Sequence, residues 1–250
     1  MSNENYIVPA LDKGMRLLEF LSDYPAGLQM CEMSELKLPS ATLYRMLTTF
    51  VQLGYINKGQ NDRYRLSRKL LALAYKSIDE NSIIEKALGP MRDLRNALNE
   101  TVMLGTLYGN EGVVLECVKS HQPVCVSVKI GHHFPLHTAA PAKAILAMLP
   151  ENESAAVLDN MNFTKFTPAT ITSKQKYLAE LQEVRNKGYA LDCGEELPDL
   201  LCISSPICDI NGYPVAALWI AAPASRMDKK HLLKIAPQLK TTACNIQKLL

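Results

Sequence analysis

No hydrophobic run in this 250-residue chain approaches the roughly 20 residues that a bilayer-spanning helix needs; the best is Val215 to Ala222. The first residues, Met1-Ser2-Asn3-Glu4-Asn5, lack the basic start and apolar centre of a secretory signal, so a cytoplasmic protein with no membrane partner is expected. The seven cysteines (Cys31, Cys117, Cys125, Cys193, Cys202, Cys208, Cys244) are odd in number and contain no C-x-x-C pair. That spacing offers no disulfide framework, and reduced, mostly buried thiols are the expectation. His132, His133 and His137 crowd together, but Pro135 denies them a helical i, i+4 spacing, and no Cys or carboxylate stands at metal distance in sequence. No metal and no cofactor is expected. Internal repeats and low-complexity segments are absent.

Strong overall charge is lacking too, since the formal net charge is +2. Its distribution is more telling. Residues 1 to 75 hold nine of the 27 Lys/Arg and seven of the 25 Asp/Glu, which leaves eighteen of each in the remainder. Between Lys37 and Lys69 the chain carries Lys37, Arg45, Lys58, Arg63, Arg65, Arg68 and Lys69 against Asp62 alone. Neutralising the phosphates of a nucleic acid needs such a local excess.

The same segment has the pattern of a winged helix-turn-helix. Leu11, Met15, Leu18 and Leu21 recur at helical spacing and stop at Tyr24-Pro25-Ala26-Gly27. Met30, Met33 and Leu36 predict a second helix over 28 to 36. Lys37-Leu38-Pro39-Ser40 suits a turn, and a third helix is expected from there to about Leu53, with Ser40 and Thr42 supplying capping oxygens. Leu43, Met46, Leu47, Phe50 and Val51 form its apolar stripe, which leaves Ser40, Ala41, Tyr44, Arg45, Thr48 and Gln52 on or near the other face. Tyr55 to Lys58 and Arg63 to Leu66, alternating around Gly59-Gln60-Asn61-Asp62, predict a β-hairpin wing.

A helical run from Ser67 to Ser77 is expected to link this part to a second domain, with a boundary near 78 to 82. Helices are then expected from Ile83 and, after Gly89-Pro90, from Met91 to Leu98. Three strands follow, Thr101 to Tyr108, Gly112 to Val118 and Val124 to Ile130, and read as a meander. Helices over 142–149, 151–160 and 174–186, strands over 189–192, 201–208 and 214–222, and a last helix from Asp228 with a kink at Pro237 complete the order. Strands, helices and strands again predict an α+β fold, an antiparallel sheet covered by helices.

Val8 to Leu18, Leu38 to Leu47, Gly54-Tyr55-Ile56 and Tyr64-Arg65-Leu66 resemble the amino-terminal half of IclR-family transcriptional regulators. Gly131 to Ala147, with Leu136-His137-Thr138-Ala139 before Ala142-Lys143-Ala144, and Gly188 to Asp192 on to Pro206-Ile207, resemble that family's effector domain. The resemblance implies a DNA-binding domain over 1–70, a linker helix over 71–81 and a GAF-like effector and oligomerisation domain over 82–250. It further implies a ligand-responsive repressor of a metabolic operon that acts as a homodimer or dimer of dimers on a double-stranded operator.

On this reading Ser40, Ala41, Thr42, Tyr44 and Arg45 meet bases or nearby phosphates, and Lys58, Arg63 and Arg65 hold the backbone or minor groove. The implied pocket for a small-molecule metabolite consists of Ala140, Pro141, Asp192, Cys202, Trp219 and Ala221. Pro141 has no backbone donor, and Trp219 and Ala221 bring no hydroxyl where the family tends to offer one to a carboxylate. A flatter or more apolar effector is therefore expected, or none. Lys37, Ser40 and Ala41 also depart from the family's usual turn, so the base preference should differ. Two alternatives stand beside this reading. One is an effector domain that serves only assembly. The other is a hydrolase with Cys202 or Cys193 as nucleophile and His137 as base, which would lack a nucleophile elbow.

Overall fold

Leu17, Leu18 and Leu21 gather on one face of the first helix, α1 (Pro9–Ser22), and are buried there with Leu28, Met33, Leu43, Leu47, Ile56 and Tyr64. In the computed structural model, which describes residues 7–70, 72–73 and 82–250, they form the core of the first of two compact units, Met1–Glu80 and Asn81–Leu250. Fully burying each such side chain stabilises by about 1.5–3 kcal/mol, so this core holds a small unit together without disulfides.

The second expected helix is not continuous. Residues 28 to 36 break into two 3₁₀ turns, Met30–Glu32 and Ser34–Leu36, and the Gln29 side chain and Glu32 close a capping box around the first. Local side-chain bonds there outcompete a helical ladder. Lys37 ends the pair in the left-handed region, with φ 50°. Helix α2 (Ser40–Gln52) then begins with Pro39 as its N-cap, and neither Ser40 nor Thr42 caps it through a side chain. After Gly54, strands β1 (Ile56–Lys58) and β2 (Tyr64–Leu66) pair antiparallel around a 3₁₀ turn over Gln60–Asp62. Leu28 extends this wing by bridging Tyr64. Gly27 allows the bridge: its φ is +78°, and a Cβ there would lie 2.9 Å from the Tyr64 carbonyl oxygen.

Ala72 and Leu73 are helical; the rest of the expected linker helix over 71–81 lies outside the described residues. The second unit opens with α3 (Ile83–Leu98), one helix where Gly89-Pro90 suggested two. Pro90 removes a single ladder bond, whereas Ala87, Met91 and Leu94 form one uninterrupted buried face that favours continuity.

Strands β3 (Thr101–Tyr108) and β4 (Glu111–Val118) follow. The expected third strand, 124–130, forms no ladder. Val126 and Val128 instead pack half-buried on the core, and β4 pairs with a two-residue strand, β5 (His133–Phe134). Only the middle of that run is held by packing, while Val124 and Ile130 at its ends stay exposed. Helices α4 (Ala140–Met148), α5 (Glu151–Asp159) and α6 (Lys174–Lys187) lead to β6 (Ala190–Cys193), β7 (Leu200–Cys208), β8 (Pro214–Pro223) and α7 (Lys229–Gln247). Pro237 lies inside α7.

The sheet runs β5-β4-β3-β8-β7-β6, antiparallel throughout. Its two faces build separate cores. Ala217, Trp219 and Ala221 of β8 face the core that includes α4 and α6, while Ala216, Leu218 and Ile220 face the one that includes α3 and α7. A central strand covered on both sides has no polar face, which is why β8 reads as the chain's longest apolar run.

Candidate functional site

In the first unit, each residue of α2 advances ~100° around the helix axis, so Arg45 stands opposite the buried pair Leu43 and Leu47. Ser40, Ala41, Tyr44 and Arg45 are all exposed, Tyr44 by 55%. Thr42 is half-buried, and with Arg45 it borders an apolar groove of about 680 Å³ between α1 and α2, lined also by Leu11, Met46, Phe50 and Leu53.

The wing cations divide. Arg65 is exposed on β2. Lys58 pairs with Asp62 at 2.7 Å and lies 5.6 Å from the Tyr64 ring centre; the Asp62 carboxylate raises the ammonium pKa. Arg63 is turned into the scaffold, where it donates to the Gly27 carbonyl at 2.5 Å and to Glu32 at 3.4 Å. The composition of the wing made these three look alike. Only the fold distinguishes a cation facing solvent from one that ties the wing to the 3₁₀ segment.

In the second unit, Ala140 and Pro141 form the first turn of α4, and Cys202 and Ala221 are register partners on β7 and β8. Asp192 on β6 pairs across to Cys202. All six residues expected to line a pocket belong to one region, and all are buried. Trp219 is 4% exposed and meets Phe134 edge-on with ring centres 5.6 Å apart. Both rings lie over strand glycines: a Cβ on Gly105 would sit 3.0 Å from the indole, and one on Gly112 would collide with the Phe134 ring. The aromatic pair occupies the interior where a ligand was expected.

The charges here are internal. Lys143 of α4 is completely buried and donates to Glu195 and to the Leu191 carbonyl at 3.1 Å. Asp192 accepts the Glu195 backbone N–H at 2.7 Å. Thr167 and Thr170 hold the same turn by donating to the Gly194 and Glu195 carbonyls at 2.7 and 2.6 Å. Burial outweighs the Lys143 ammonium and pushes the Asp192 carboxyl up to about 6 and that of Glu195 to about 7. Among the described residues two buried side-chain oxygens have no partner, Thr138 Oγ1 and Glu195 Oε2. Lys143 and Glu195 were not among the expected site residues. Their signal is a lone cation inside the apolar stretch Ala139 to Ala147.

The hydrolase alternative fails on the same geometry. Burial raises the thiol pKa of Cys202 well above its ordinary value and that of Cys193 as well, the reverse of an activated nucleophile. His137 is engaged with the Thr164 carbonyl at 2.8 Å. Among the described residues no group of three or more His, Cys, Asp or Glu could hold a metal ion, and no helix is long and apolar enough to cross a membrane.

Comparison with known proteins places this geometry. The IclR helix-turn-helix domain matches residues 10–59, and the bacterial transcriptional regulator IclR C-terminal domain matches residues 75–248. The HTH-type transcriptional regulator XynR of Escherichia coli is 30% identical over 236 residues, 94% of each chain. The regulator KdgR of the same organism is 31% identical over 207 residues, 82% of this chain and 79% of KdgR. Among solved structures, Thermotoga maritima IclR superposes with a TM-score of 0.75 at 27% identity, covering 96% of this chain and 98% of its own. These relatives are regulators, not enzymes.

Proposed function

Because this chain belongs to the IclR family of bacterial transcriptional regulators, we propose that it represses a metabolic operon by binding a specific operator as a homodimer. Two copies of α2 enter successive major grooves roughly 34 Å apart. The observation that carries this reading is the exposed face of α2, where Ser40, Ala41, Tyr44 and Arg45 stand clear of the core. Arg45 reads bases, Tyr44 and the first turn meet bases or phosphates, and Arg65 and Lys58 track the backbone. Thr42 takes a lesser part, and Arg63 acts through the scaffold. The apolar groove beside α2 supports self-association, since a single copy leaves Leu11 and Leu53 to water.

Footprinting of the full-length chain on DNA flanking its own gene tests this. Discrete protected segments with half-sites one helical turn apart are expected, and uniform protection would contradict it.

The effector part of the reading is narrower than the family resemblance implied. Ala140, Pro141, Asp192, Cys202, Trp219 and Ala221, the residues proposed to meet the effector, bring the one buried carboxyl of Asp192, and beside them Glu195 adds a second while Lys143 is already paired. That balance disfavours a small anion. A flat, uncharged effector that displaces Trp219 fits better, and its binding shifts the equilibrium between DNA-competent and incompetent arrangements. The Trp219–Phe134 packing also favours a second reading, in which this interior stays closed and the domain serves assembly alone. Titrating Trp219 fluorescence with a metabolite panel separates the two. Tight binding of a glyoxylate-like acid would contradict the uncharged effector.

A further inference from the structure

A separate cavity of about 430 Å³ opens on the outer side of Phe134, between β5 and the end of α5. We infer that it is a binding site for an uncharged, hydroxyl-bearing ring compound such as a glycoside or cyclic polyol. Its lining is built in two parts. Phe134, Pro135, Leu136, Val157 and Met161 give one apolar side. Asn110, Asn160 and Asn162 give side-chain amides, each with donors and an acceptor.

The polar groups are arranged to leave capacity for a guest. Asn160 spends its Nδ2 on the Ala156 carbonyl at 3.0 Å, which leaves its Oδ1 as an acceptor. His137, 4% exposed and donating Nε2–H to the Thr164 carbonyl at 2.8 Å, adds its second ring nitrogen, Nδ1, to the polar groups of the lining. His133 meets Glu111 through Nδ1 across the strand edge, and both stand on the rim of the cavity. Amides that both donate and accept match hydroxyls, which do the same. The half-buried Phe134 ring offers a negative face to the weakly positive C–H side of a saturated ring. No lysine or arginine lines the cavity and Glu111 sets a carboxylate on its rim, so a carboxylate or phosphate ligand gains nothing there.

Phe134 also gives the site a route to the interior, because its ring meets that of Trp219 edge-on. A guest stacked on Phe134 is thereby reported by the chain's single tryptophan. The site is distinct from the pocket proposed above, whose residues do not line it.

Isothermal titration calorimetry of the full-length chain with methyl β-D-glucopyranoside, methyl β-D-galactopyranoside and myo-inositol reads the inference directly. At least one should bind saturably and shift Trp219 emission. Asn110→Ala and Asn162→Ala, both at exposed positions, should each weaken that binding about fivefold. Arg92→Ala, at an exposed position on α3, should leave it unchanged. The inference is overturned by the absence of saturable binding to all three compounds, or by a preference for D-gluconate over the neutral glycosides. It is equally overturned by binding that ignores both asparagine variants or is lost in Arg92→Ala.

Discussion

The two units treat their chemistry-bearing residues in opposite ways. In the first, Tyr44, Arg45 and Arg65 stand in solvent. In the second, Lys143, Glu195, Asp192 and Tyr177 are buried; the first three are linked to one another or to a neighbouring carbonyl, and the Tyr177 hydroxyl donates to the Leu136 carbonyl at 2.6 Å. A surface meant for a large charged partner must keep its cations hydrated until contact. An interior that holds a shape must pair most of its polar groups within itself, and among the described residues Thr138 Oγ1 and Glu195 Oε2 are the exceptions here. Mutations should therefore cost stability in the second unit and DNA affinity in the first, and that contrast can be broken or sharpened residue by residue.

The largest effect is expected from Lys143→Ala, which strands two buried carboxyls. It should lower unfolding stability by about 3–5 kcal/mol in urea titrations followed through Trp219 emission. A loss below about 1 kcal/mol would mean that the ion pair is not integral to this core.

Next comes a pH effect at Glu195. Its folded carboxyl is raised to about 7 from an ordinary 4.5, so the folded state binds more protons than the unfolded one between those values. The stability this contributes is full below the unfolded value and is lost as pH rises through the folded one. Between pH 5 and 8 the native chain should thus lose on the order of 2 kcal/mol more than Glu195→Gln. Parallel pH profiles would show that Glu195 is not the titrating group.

In the first unit, Arg45→Ala should cost about 1–3 kcal/mol of discrimination between operator and unrelated DNA in competition titrations, with unfolding stability unchanged. Arg63→Ala crosses the divide. It releases the Gly27 and Glu32 contacts, so about 1 kcal/mol of stability should be lost. The slope of binding against salt should stay near its native value. Arg65→Ala should do the reverse, lowering that slope by about one with little effect on folding. Identical behaviour of the two arginine variants would erase the distinction drawn from the fold.

How legible each region was follows from the same contrast. Helix α2, the wing and the β7–β8 hairpin around Asp209-Ile210-Asn211-Gly212 are local events, set by apolar spacing and turn residues a few positions apart. They stand in the structure close to where that spacing put them. Residues 28–36 misled because Gln29 and Glu32 close a capping box that apolar period does not register. Residues 124–130 misled because strand-like composition was answered by burial without pairing. Pro90 misled because a buried face held α3 together.

The deeper gap concerns the pocket. Ala140, Pro141, Asp192, Cys202, Trp219 and Ala221 do converge, but that they are filled by an aromatic pair and flanked by a buried ion pair depends on contacts between distant elements. Lys143 meets Glu195 across 52 positions of chain. Gly105 and Gly112 were the readable hints, since a glycine inside a strand often marks the close approach of something large.

On the proposed division of labour, α2 reads sequence through Arg45 while the wing supplies charge. Competition of a footprinted operator against random duplex, at several salt concentrations and for the native chain and Arg45→Ala in parallel, tests it most directly. The specificity ratio should fall roughly tenfold or more in the variant, with non-specific affinity and its salt slope nearly preserved. An unchanged ratio, or an equal loss on both DNAs, would contradict it.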